Sequence, residues 1–166
     1  MIRIGLISDT HGHMDDNILK HLETCDEIWH AGDLGDMKVA EQLQAVRPLR
    51  AVSGNIDSGM VYSSFAEQEV FQCEQVKVLM RHITGYPKNY DPLALEEIRY
   101  HQPALVIAGH SHILRIMYDE KNNCLYMNPG AAGHQGNHIE RTIIRFSIDG
   151  KQIRNAEVVE LGKRGR

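Results

Sequence analysis

The first third of the chain alternates short apolar runs with segments that carry apolar residues at helical spacing. The apolar runs at residues 2–7, 27–30 and 49–52 predict strands. Segments 14–22 and 36–46 place apolar side chains three and four positions apart, which is typical of amphipathic helices. This strand–helix alternation predicts right-handed βαβ units around a parallel sheet.

After Met60 the pattern changes, because strand-like runs follow one another without a predicted helix between them. These runs cover residues 61–65, 69–71 and 76–82. Residues 84–90 predict a loop that leads into a helix with Asp91 as its N-cap and Pro92 at its first position. Further on, the uninterrupted apolar run 104–108 is typical of a strand buried on both faces.

The last third of the chain predicts antiparallel strands. They cover residues 113–118, 125–127, 139–146 and 153–161. Together the elements predict an α/β fold in which two stacked, mixed β-sheets are flanked by helices, a four-layer α/β/β/α sandwich. Residues 1–166 contain no linker or internal repeat and are expected to form one domain.

Composition narrows the class of protein without identifying a function. The formal net charge of -4 gives no electrostatic reason to expect nucleic acid as a main partner. Cys25, Cys73 and Cys124 are far apart and odd in number, which predicts reduced thiols in a cytoplasmic protein. No stretch approaches the roughly 18 apolar residues of a membrane span, and no signal peptide is predicted. The one unusual feature of the composition is its 10 histidines.

Polar side chains of metal-binding type follow the predicted strands at several strand ends. They are Asp9, His11, Asp33, Asn55, His82, His110 and His112. Open α/β sheets bind ligands beyond the carboxyl ends of their strands, so these side chains are expected to converge there. Glycine precedes three of them, at Gly32, Gly54 and Gly109, and permits a tight turn or a close backbone approach.

Each of these residues also has an ordinary structural explanation. Asp33 fits a turn, Asn55 fits a left-handed backbone position, and His110 fits a core histidine bonded to a carbonyl group. The repetition of the pattern at so many strand ends favours a metal site. Seven oxygen and nitrogen ligands exceed the needs of one tetrahedral ion, so two divalent ions are predicted. Two such ions about 3.5–4 Å apart activate a bridging water and clamp the attacking and leaving oxygens at phosphorus.

Short motifs in a fixed order give the chain a specific resemblance to a known family. They are Asp9-Thr10-His11, Gly32-Asp33, Gly54-Asn55-Ile56-Asp57, Gly109-His110-Ser111-His112 and Asn128-Pro129-Gly130. In this order they resemble the motifs of the calcineurin-like metallophosphoesterases, and among these the branch of small bacterial phosphodiesterases. The motifs span nearly the whole chain, which makes the set far more specific than any single member.

The resemblance implies a ligand set for each of two metal ions and the same α/β/β/α sandwich. One ion is held by Asp9, His11 and His112. The other is held by Asn55, His82 and His110, and Asp33 bridges the two. Asn55 is also expected to contact substrate. The ions implied are divalent, with Mn expected first and Zn, Fe or Ni as alternatives.

Two departures from the family pattern affect the expected chemistry. The branch usually has glycine directly after the histidine that corresponds to His82, whereas here Ile83 and Thr84 stand before Gly85. Many relatives place a histidine after the metal-binding asparagine, where it protonates the leaving group or stabilises the transition state, whereas this chain has Ile56 there. The resemblance therefore leaves the leaving-group acid unidentified.

Several further residues have roles predicted from the sequence. Asp57 is expected to orient the metal ligands without binding metal itself. His13 is a candidate for substrate contact, as are His134 and His138, although exposed loop histidines are the favoured interpretation of each. The histidines interpreted as structural are His21, His30 and His101.

The sequence therefore predicts a metal-dependent phosphoesterase that hydrolyses phosphodiesters by attack of a metal-bridging hydroxide. The expected substrate is a small phosphodiester or a nucleotide-like molecule. The sequence does not determine the oligomeric state, and a homo-oligomer is compatible with it. The alternative is a non-catalytic interaction scaffold, as in the metallophosphoesterase-fold subunit of the retromer coat. A complete set of seven ligands favours the enzyme, because a scaffold has no reason to keep costly polar groups facing one another.

Overall fold

A computed structural model describes residues 1–165, and its elements follow the predicted order closely. In the first half they are β1 (Ile2–Ile7), α1 (Asp16–Leu22), β2 (Glu27–His30), α2 (Met37–Gln44), β3 (Leu49–Ala51), α3 (Gly59–Ser64), β4 (Gln68–Cys73) and β5 (Val76–Arg81). In the second half they are β6 (Gly85–Tyr86), β7 (Asn89–Tyr90), α4 (Pro92–His101), β8 (Leu105–Ile107), β9 (Leu114–Asp119), β10 (Cys124–Pro129), β11 (Glu140–Asp149) and β12 (Gln152–Lys163). No helix within residues 1–165 is long and apolar enough to cross a membrane.

Two five-stranded mixed sheets form the centre of the fold. One has the strand order β12-β11-β1-β2-β3 and the other has the order β4-β5-β8-β10-β9. In the first sheet β1, β2 and β3 are parallel, and in the second β5, β8 and β10 are parallel. The remaining strands join these parallel centres in antiparallel fashion. The predicted α/β fold with two mixed sheets is therefore confirmed.

Three layers of apolar side chains hold the sheets and helices together, because successive residues of a strand face opposite sides. On β1, Leu6 packs between the two sheets, whereas Ile7 packs beneath α1 and α2. On β5, Met80 faces the core between the sheets, whereas Leu79 packs with Ile98 of α4. The resulting order of helices, sheet, sheet and helix is the predicted four-layer sandwich.

The prediction of a strand at residues 61–65 is wrong, because residues 61–64 belong to the helix α3 and Phe65 is its C-cap. Val61 is buried and Phe65 packs against the same core cluster as α1 and α2. A spacing of four residues places two side chains on one face in a strand and in a helix alike, so the pattern did not separate the two. The β-branched and aromatic residues of the segment then favoured the strand.

The loop predicted at residues 84–90 contains a small hairpin instead. β6 and β7 pair antiparallel, with Gly85 opposite Tyr90 and Tyr86 opposite Asn89. Between them, Pro87 comes first and Lys88 has a φ of 74°, a combination typical of a type II turn. Two-residue strands are too short to produce an alternating pattern, so no hydrophobic periodicity predicts them.

Aspartate side chains start three of the helices. Asp15 of α1, Asp36 of α2 and Asp91 of α4 each accept a hydrogen bond from a backbone N–H group of the first turn. The N-cap role predicted for Asp91, with Pro92 following it, is therefore confirmed.

A buried polar chain ties the end of β2 to the turn after β1. Nδ1 of His30 accepts a hydrogen bond of 3.1 Å from the backbone N–H of Gly32, so Nε2 carries the proton and donates to Oγ1 of Thr10 at 3.0 Å. The hydroxyl of Thr10 donates onward to the carbonyl of Leu34 at 3.1 Å. Complete burial lowers the pKa of His30 to about 3, which keeps the ring neutral. The structural role expected for His30 agrees with these contacts.

The buried neutral His30 predicts a loss of stability in acid. Below its ordinary pKa of 6.5 the unfolded chain binds a proton that the folded chain does not, so the free energy of unfolding falls as the pH drops from 6.5 toward 3. Other groups also titrate in this range. A His30→Gln variant isolates the contribution of His30 to the pH dependence of stability, because glutamine keeps hydrogen-bonding groups and cannot become charged. We expect its pH slope to be smaller than that of the wild type by about 1.4 kcal/mol per pH unit.

Urea unfolding, followed by the fluorescence of the fully buried Trp29 in metal-free protein, measures both slopes. Parallel curves for the wild type and His30→Gln between pH 4 and 6.5 would contradict the neutral, buried state of His30.

Candidate metal centre

The predicted ligands lie in loops that follow parallel strands of both sheets. Asp9 and His11 follow β1, Asp33 follows β2, Asn55 follows β3, His82 follows β5, and His110 and His112 follow β8. The carboxyl ends of these strands meet at one edge of the sandwich, as the sequence analysis expected. The two sheets therefore supply ligands to the same place from opposite sides.

A first group of possible metal ligands consists of Asp9, His11 and His112. Nε2 of His112 lies 3.1 Å from Oδ1 of Asp9, and Nε2 of His11 lies 3.9 Å from the same oxygen. Nε2 of His11 is buried and has no hydrogen-bond partner within residues 1–165. A buried, unpaired nitrogen that faces a carboxylate is a natural position for a cation.

A second group consists of Asp9, Asp33 and His82, and all three are buried. Nε2 of His82 lies 3.2 Å from Oδ2 of Asp33 and 3.8 Å from Oδ1 of Asp9. Nδ1 of His82 donates to the carbonyl of Ala31 at 2.7 Å, which leaves Nε2 as the free nitrogen. That Nε2 also has no hydrogen-bond partner among the described residues. Carboxylate oxygens and imidazole nitrogens in this arrangement fit borderline divalent ions.

The residue common to both groups is Asp9, whereas the resemblance assigned the bridging role to Asp33. Oδ2 of Asp33 lies 3.5 Å from Nε2 of His11, so Asp33 also reaches the first group. Both carboxylates therefore face histidines of both groups. The bridging role of Asp33 stays a prediction.

Asn55 and His110 lie beside these groups but outside them. Oδ1 of Asn55 and Nδ1 of His110 are 3.1 Å apart, and both residues are exposed. The ring of His110 packs edge-on against that of His82, with 5.3 Å between the ring centroids. Of the seven predicted ligands, five converge on one cluster, and these two form a hydrogen-bonded pair at its margin.

The charges of the cluster oppose the effects of burial. Burial disfavours the ionised form of Asp9, but the hydrogen bond from His112 and the charge of His82 outweigh it and lower the pKa of Asp9. Burial likewise disfavours ionised Asp33, but the close approach and charge of His82 again leave the pKa of Asp33 lowered. Burial disfavours the charged form of His82, but Asp33 and Asp9 raise its pKa. The two carboxylates therefore favour positive charge between them, and a divalent ion bound there would supply it.

Ser8 is a site residue with no role predicted from the sequence. Its hydroxyl donates a 2.6 Å hydrogen bond to Oδ2 of Asp9, and the backbone N–H of His110 donates to the same oxygen at 3.1 Å. These contacts leave Oδ1 of Asp9 facing the histidines. The signal in the sequence was the hydroxyl residue between the end of an apolar strand and a ligating carboxylate.

Five of the seven predicted ligands have left-handed backbone conformations, which residues other than glycine seldom adopt. The φ angles run from 47° at His11 to 71° at His110, and the other three residues are Asp9, Asp33 and His112. Backbone hydrogen bonds of 3.0 Å hold these turns in place, from Asp9 N to the carbonyl of Gly32 and from His11 N to that of Asp33. Strained backbone of this kind persists where surrounding contacts enforce it, and it is concentrated at functional sites.

Two glycines bring loops to the carboxylates, as the sequence analysis expected. A Cβ atom at Gly54 would lie 2.1 Å from Oδ1 of Asp33. A Cβ atom at Gly109 would lie 2.3 Å from Oγ of Ser8 and 3.0 Å from Oδ2 of Asp9. Any larger residue at either position would push the loop away from the ligand it contacts.

Asp57 and Asn128 fix the loops that carry the ligands. Oδ2 of Asp57 accepts from the backbone N–H groups of Gly54 at 2.8 Å and Leu34 at 3.2 Å, and Oδ1 accepts from Gly35 at 2.8 Å. Nδ2 of Asn128 donates to the carbonyl of Gly109 at 2.8 Å. Asp57 therefore joins the turn that holds Asp33 to the turn that holds Asn55, and it contacts neither metal-ligand group directly.

Of the remaining histidines, His138 contacts a residue of the cluster. Nε2 of His13 donates to Asp15 at 2.7 Å, and its ring packs against that of His134 at 4.4 Å. His138 packs edge-on against His112, with 5.1 Å between centroids, and its Nε2 donates to the carbonyl of Gly133. His21 and His101 lie on α1 and α4, outside the cluster.

The chain that carries these metal-ligand residues matches a known family over most of its length. Residues 2–151 match the model of the calcineurin-like phosphoesterase superfamily domain. A relative from Methanothermobacter thermautotrophicus, named a probable metallophosphoesterase, is 25% identical over 96% of this chain and 92% of its own length.

Solved structures with the same fold include a Vps29 protein and a phosphodiesterase. Vps29 from Entamoeba histolytica, in complex with zinc, has a TM-score of 0.75 and 18% identity, and the match covers 96% of this chain and 99% of that one. A phosphodiesterase of archaeal origin has a TM-score of 0.76 and 19% identity, and the match covers 95% and 100% of the two chains. At these identities the likenesses show a shared fold.

The contacts of Asp57 predict a strong effect on metal affinity. We expect Asp57→Ala to weaken metal binding by about 10–100-fold, because three backbone N–H groups lose their acceptor and the two turns loosen. Asp57→Asn keeps one acceptor oxygen, so its affinity should lie between those of the alanine variant and the wild type. Calorimetric titration of metal-stripped protein with Mn²⁺ measures these affinities.

A matched control is Asp26→Ala, which removes an exposed carboxylate that pairs with Arg3 on the surface. Equal Mn²⁺ affinities for Asp57→Ala and Asp26→Ala would contradict the bracing role of Asp57.

Proposed function

The chain belongs to the calcineurin-like phosphoesterase superfamily, and from this membership we propose that it is a di-metal phosphodiesterase. The observation that carries the proposal is the pair of ligand groups that share Asp9, with the unpaired Nε2 atoms of His11 and His82 buried among carboxylates. We also propose that residues 1–166 act as one domain, which the family match over residues 2–151 supports.

The residues present fit two divalent ions, one at each ligand group. His11 and His112 would hold one ion, His82 and Asp33 would hold the other, and Asp9 faces both. When bound, a pair of divalent ions supplies an activated water and neutralises charge on the phosphoryl oxygens. Mn is the first expectation for a mixed carboxylate and imidazole set, with Zn, Fe or Ni as alternatives.

The protein groups around the ions would position the substrate. Asn55 and His110 lie exposed at the margin of the cluster, where a phosphoryl oxygen can accept a hydrogen bond from either side chain. The backbone N–H of Ile56 donates to Oδ1 of Asp33 at 3.1 Å, so the main chain of this residue orients a ligand. Its exposed alkyl side chain has no proton to give to a leaving group.

The proposed substrate is a small phosphodiester or nucleotide-like molecule, and the proposed alternative function is a non-catalytic scaffold on the same fold. The contacts favour the enzyme. Buried histidine nitrogens without hydrogen-bond partners, next to carboxylates, destabilise a folded protein that gains no ligand from them.

The direct test is hydrolysis of bis(4-nitrophenyl) phosphate by metal-stripped protein after Mn²⁺, Zn²⁺, Mg²⁺ or no metal is added. We expect turnover that depends on added metal and that His112→Ala abolishes, since His112 belongs to the first ligand group. His101→Ala, at the last residue of α4, is the matched histidine control and should retain the wild-type rate. Absence of turnover with every metal, in folded protein that binds Mn²⁺, would support the scaffold.

Ile56 predicts how the rate depends on the leaving group. Without a proton donor at this position, departure of the leaving oxygen should become slower as its basicity rises, because general-acid assistance typically contributes about 10²–10⁴-fold. We expect aryl esters to be hydrolysed much faster than alkyl esters, with kcat/KM falling steadily along a series of phenols of increasing pKa. A rate that is the same across the series would show that another group protonates the leaving oxygen.

A further inference from the structure

A small pocket lies directly beside His110, between the β6–β7 hairpin and the loop that follows β8. Its volume is about 160 Å³. The side chains that give it its chemical character are Tyr86, His110, Ser111, Ile113, Arg115 and Tyr126. Because His110 contributes to its wall, the pocket is close enough to the metal centre to receive one group of a molecule bound there.

Arg115 is the one charged side chain of this pocket, and no carboxylate lines it. Its guanidinium carbon lies 4.1 Å from the centroid of the Tyr86 ring, in a cation–π contact. Within residues 1–165 the guanidinium forms no hydrogen bond and no ion pair, unlike Arg81 and Arg141, which pair with carboxylates. Because the guanidinium of Arg115 stacks on Tyr86 through its flat face, the N–H groups at its edge are free to donate hydrogen bonds.

The walls of the pocket are held in place before any ligand arrives. The hydroxyl of Tyr126 donates to the carbonyl of Gly85 at 2.7 Å, which fastens the hairpin to β10. The backbone N–H of Asp91 donates to the carbonyl of Thr84 at 2.8 Å, which fastens the hairpin to the start of α4. A site formed in advance loses little free energy to ordering when it binds.

The size and lining of the pocket restrict its occupant. A cavity of about 150 Å³ in another protein holds one benzene molecule, so this pocket has room for one ring. Tyr86, Tyr126 and Ile113 offer apolar and aromatic surface, and the guanidinium of Arg115 offers both a flat face and hydrogen-bond donors. A flat ring that carries an acceptor oxygen satisfies both kinds of surface.

We propose that this pocket binds a flat ring with a hydrogen-bond acceptor, carried by one ester group of the phosphodiester, and that Arg115 and Tyr86 determine this preference. The inference rests on the proposed phosphodiesterase function, because the phosphoryl group anchors the ester beside His110. A nucleobase and a simple aryl group share this chemistry.

Binding of phosphonates, which are not hydrolysed, tests the inference without relying on turnover. Calorimetry on zinc-loaded protein compares methylphosphonate, phenylphosphonate and 4-carboxyphenylphosphonate. We expect the phenyl compound to bind about 10-fold more tightly than the methyl compound through stacking, and the carboxyphenyl compound to bind more tightly again through Arg115. Thymidine 5′-monophosphate forms a further arm, and tighter binding than 4-carboxyphenylphosphonate would identify a nucleobase as the ring.

Two variants and a matched control separate the contributions. Arg115→Met should remove the advantage of the carboxylate, and Tyr86→Leu should reduce the advantage of the ring. Arg99→Met is the control, because it removes the same charge from a position on α4 that does not line this pocket. The affinity for methylphosphonate should stay unchanged in all three, which verifies that the metal centre is intact.

The outcomes distinguish the pocket from the proposed function. If methyl and phenyl compounds bind equally, or if Arg115→Met and Arg99→Met behave alike toward the carboxyphenyl compound, the inference is overturned even when diesters are hydrolysed. If the ring preference depends on Arg115 but no diester is hydrolysed with any metal, the pocket stands and the proposed phosphodiesterase function fails.

Discussion

The burial of the Asp9 carboxylate is the constraint on which the rest of the site depends. A fully buried carboxylate is costly unless hydrogen bonds and positive charge surround it. Ser8 and the backbone of His110 donate to one of its oxygens, and three histidines, His11, His82 and His112, face the other. These contacts come from loops after β1, β5 and β8, so both sheets must bring their strand ends to this one group.

Much of the fold followed from the sequence because its strands are buried on both sides. In β8, Leu105 and Ile107 face one core and Val106 faces another, so all three must be apolar and the strand is unmistakable. The site was predicted for a related reason. Parallel strands end at one edge, so polar residues such as Asp33 and His82, each just after a strand, had to meet there.

What the sequence did not reveal depends on spacing that fits two structures or on contacts between distant segments. Val61 and Phe65 occupy one face in a helix and in a strand alike, and α3 was missed for that reason. The pairing of Asn55 with His110, and the presence of Asp9 in both ligand groups, follow from loop geometry that no local pattern records. The left-handed backbone at His11 is likewise enforced by tertiary contacts rather than by residue type.

We propose that two ions bind side by side around Asp9. Anomalous diffraction from a crystal saturated with Mn²⁺ would locate each ion. We expect two Mn peaks about 3.5–4 Å apart, one next to His11 and His112 and the other next to His82 and Asp33. A single Mn peak, or none, at saturating Mn²⁺ would contradict it.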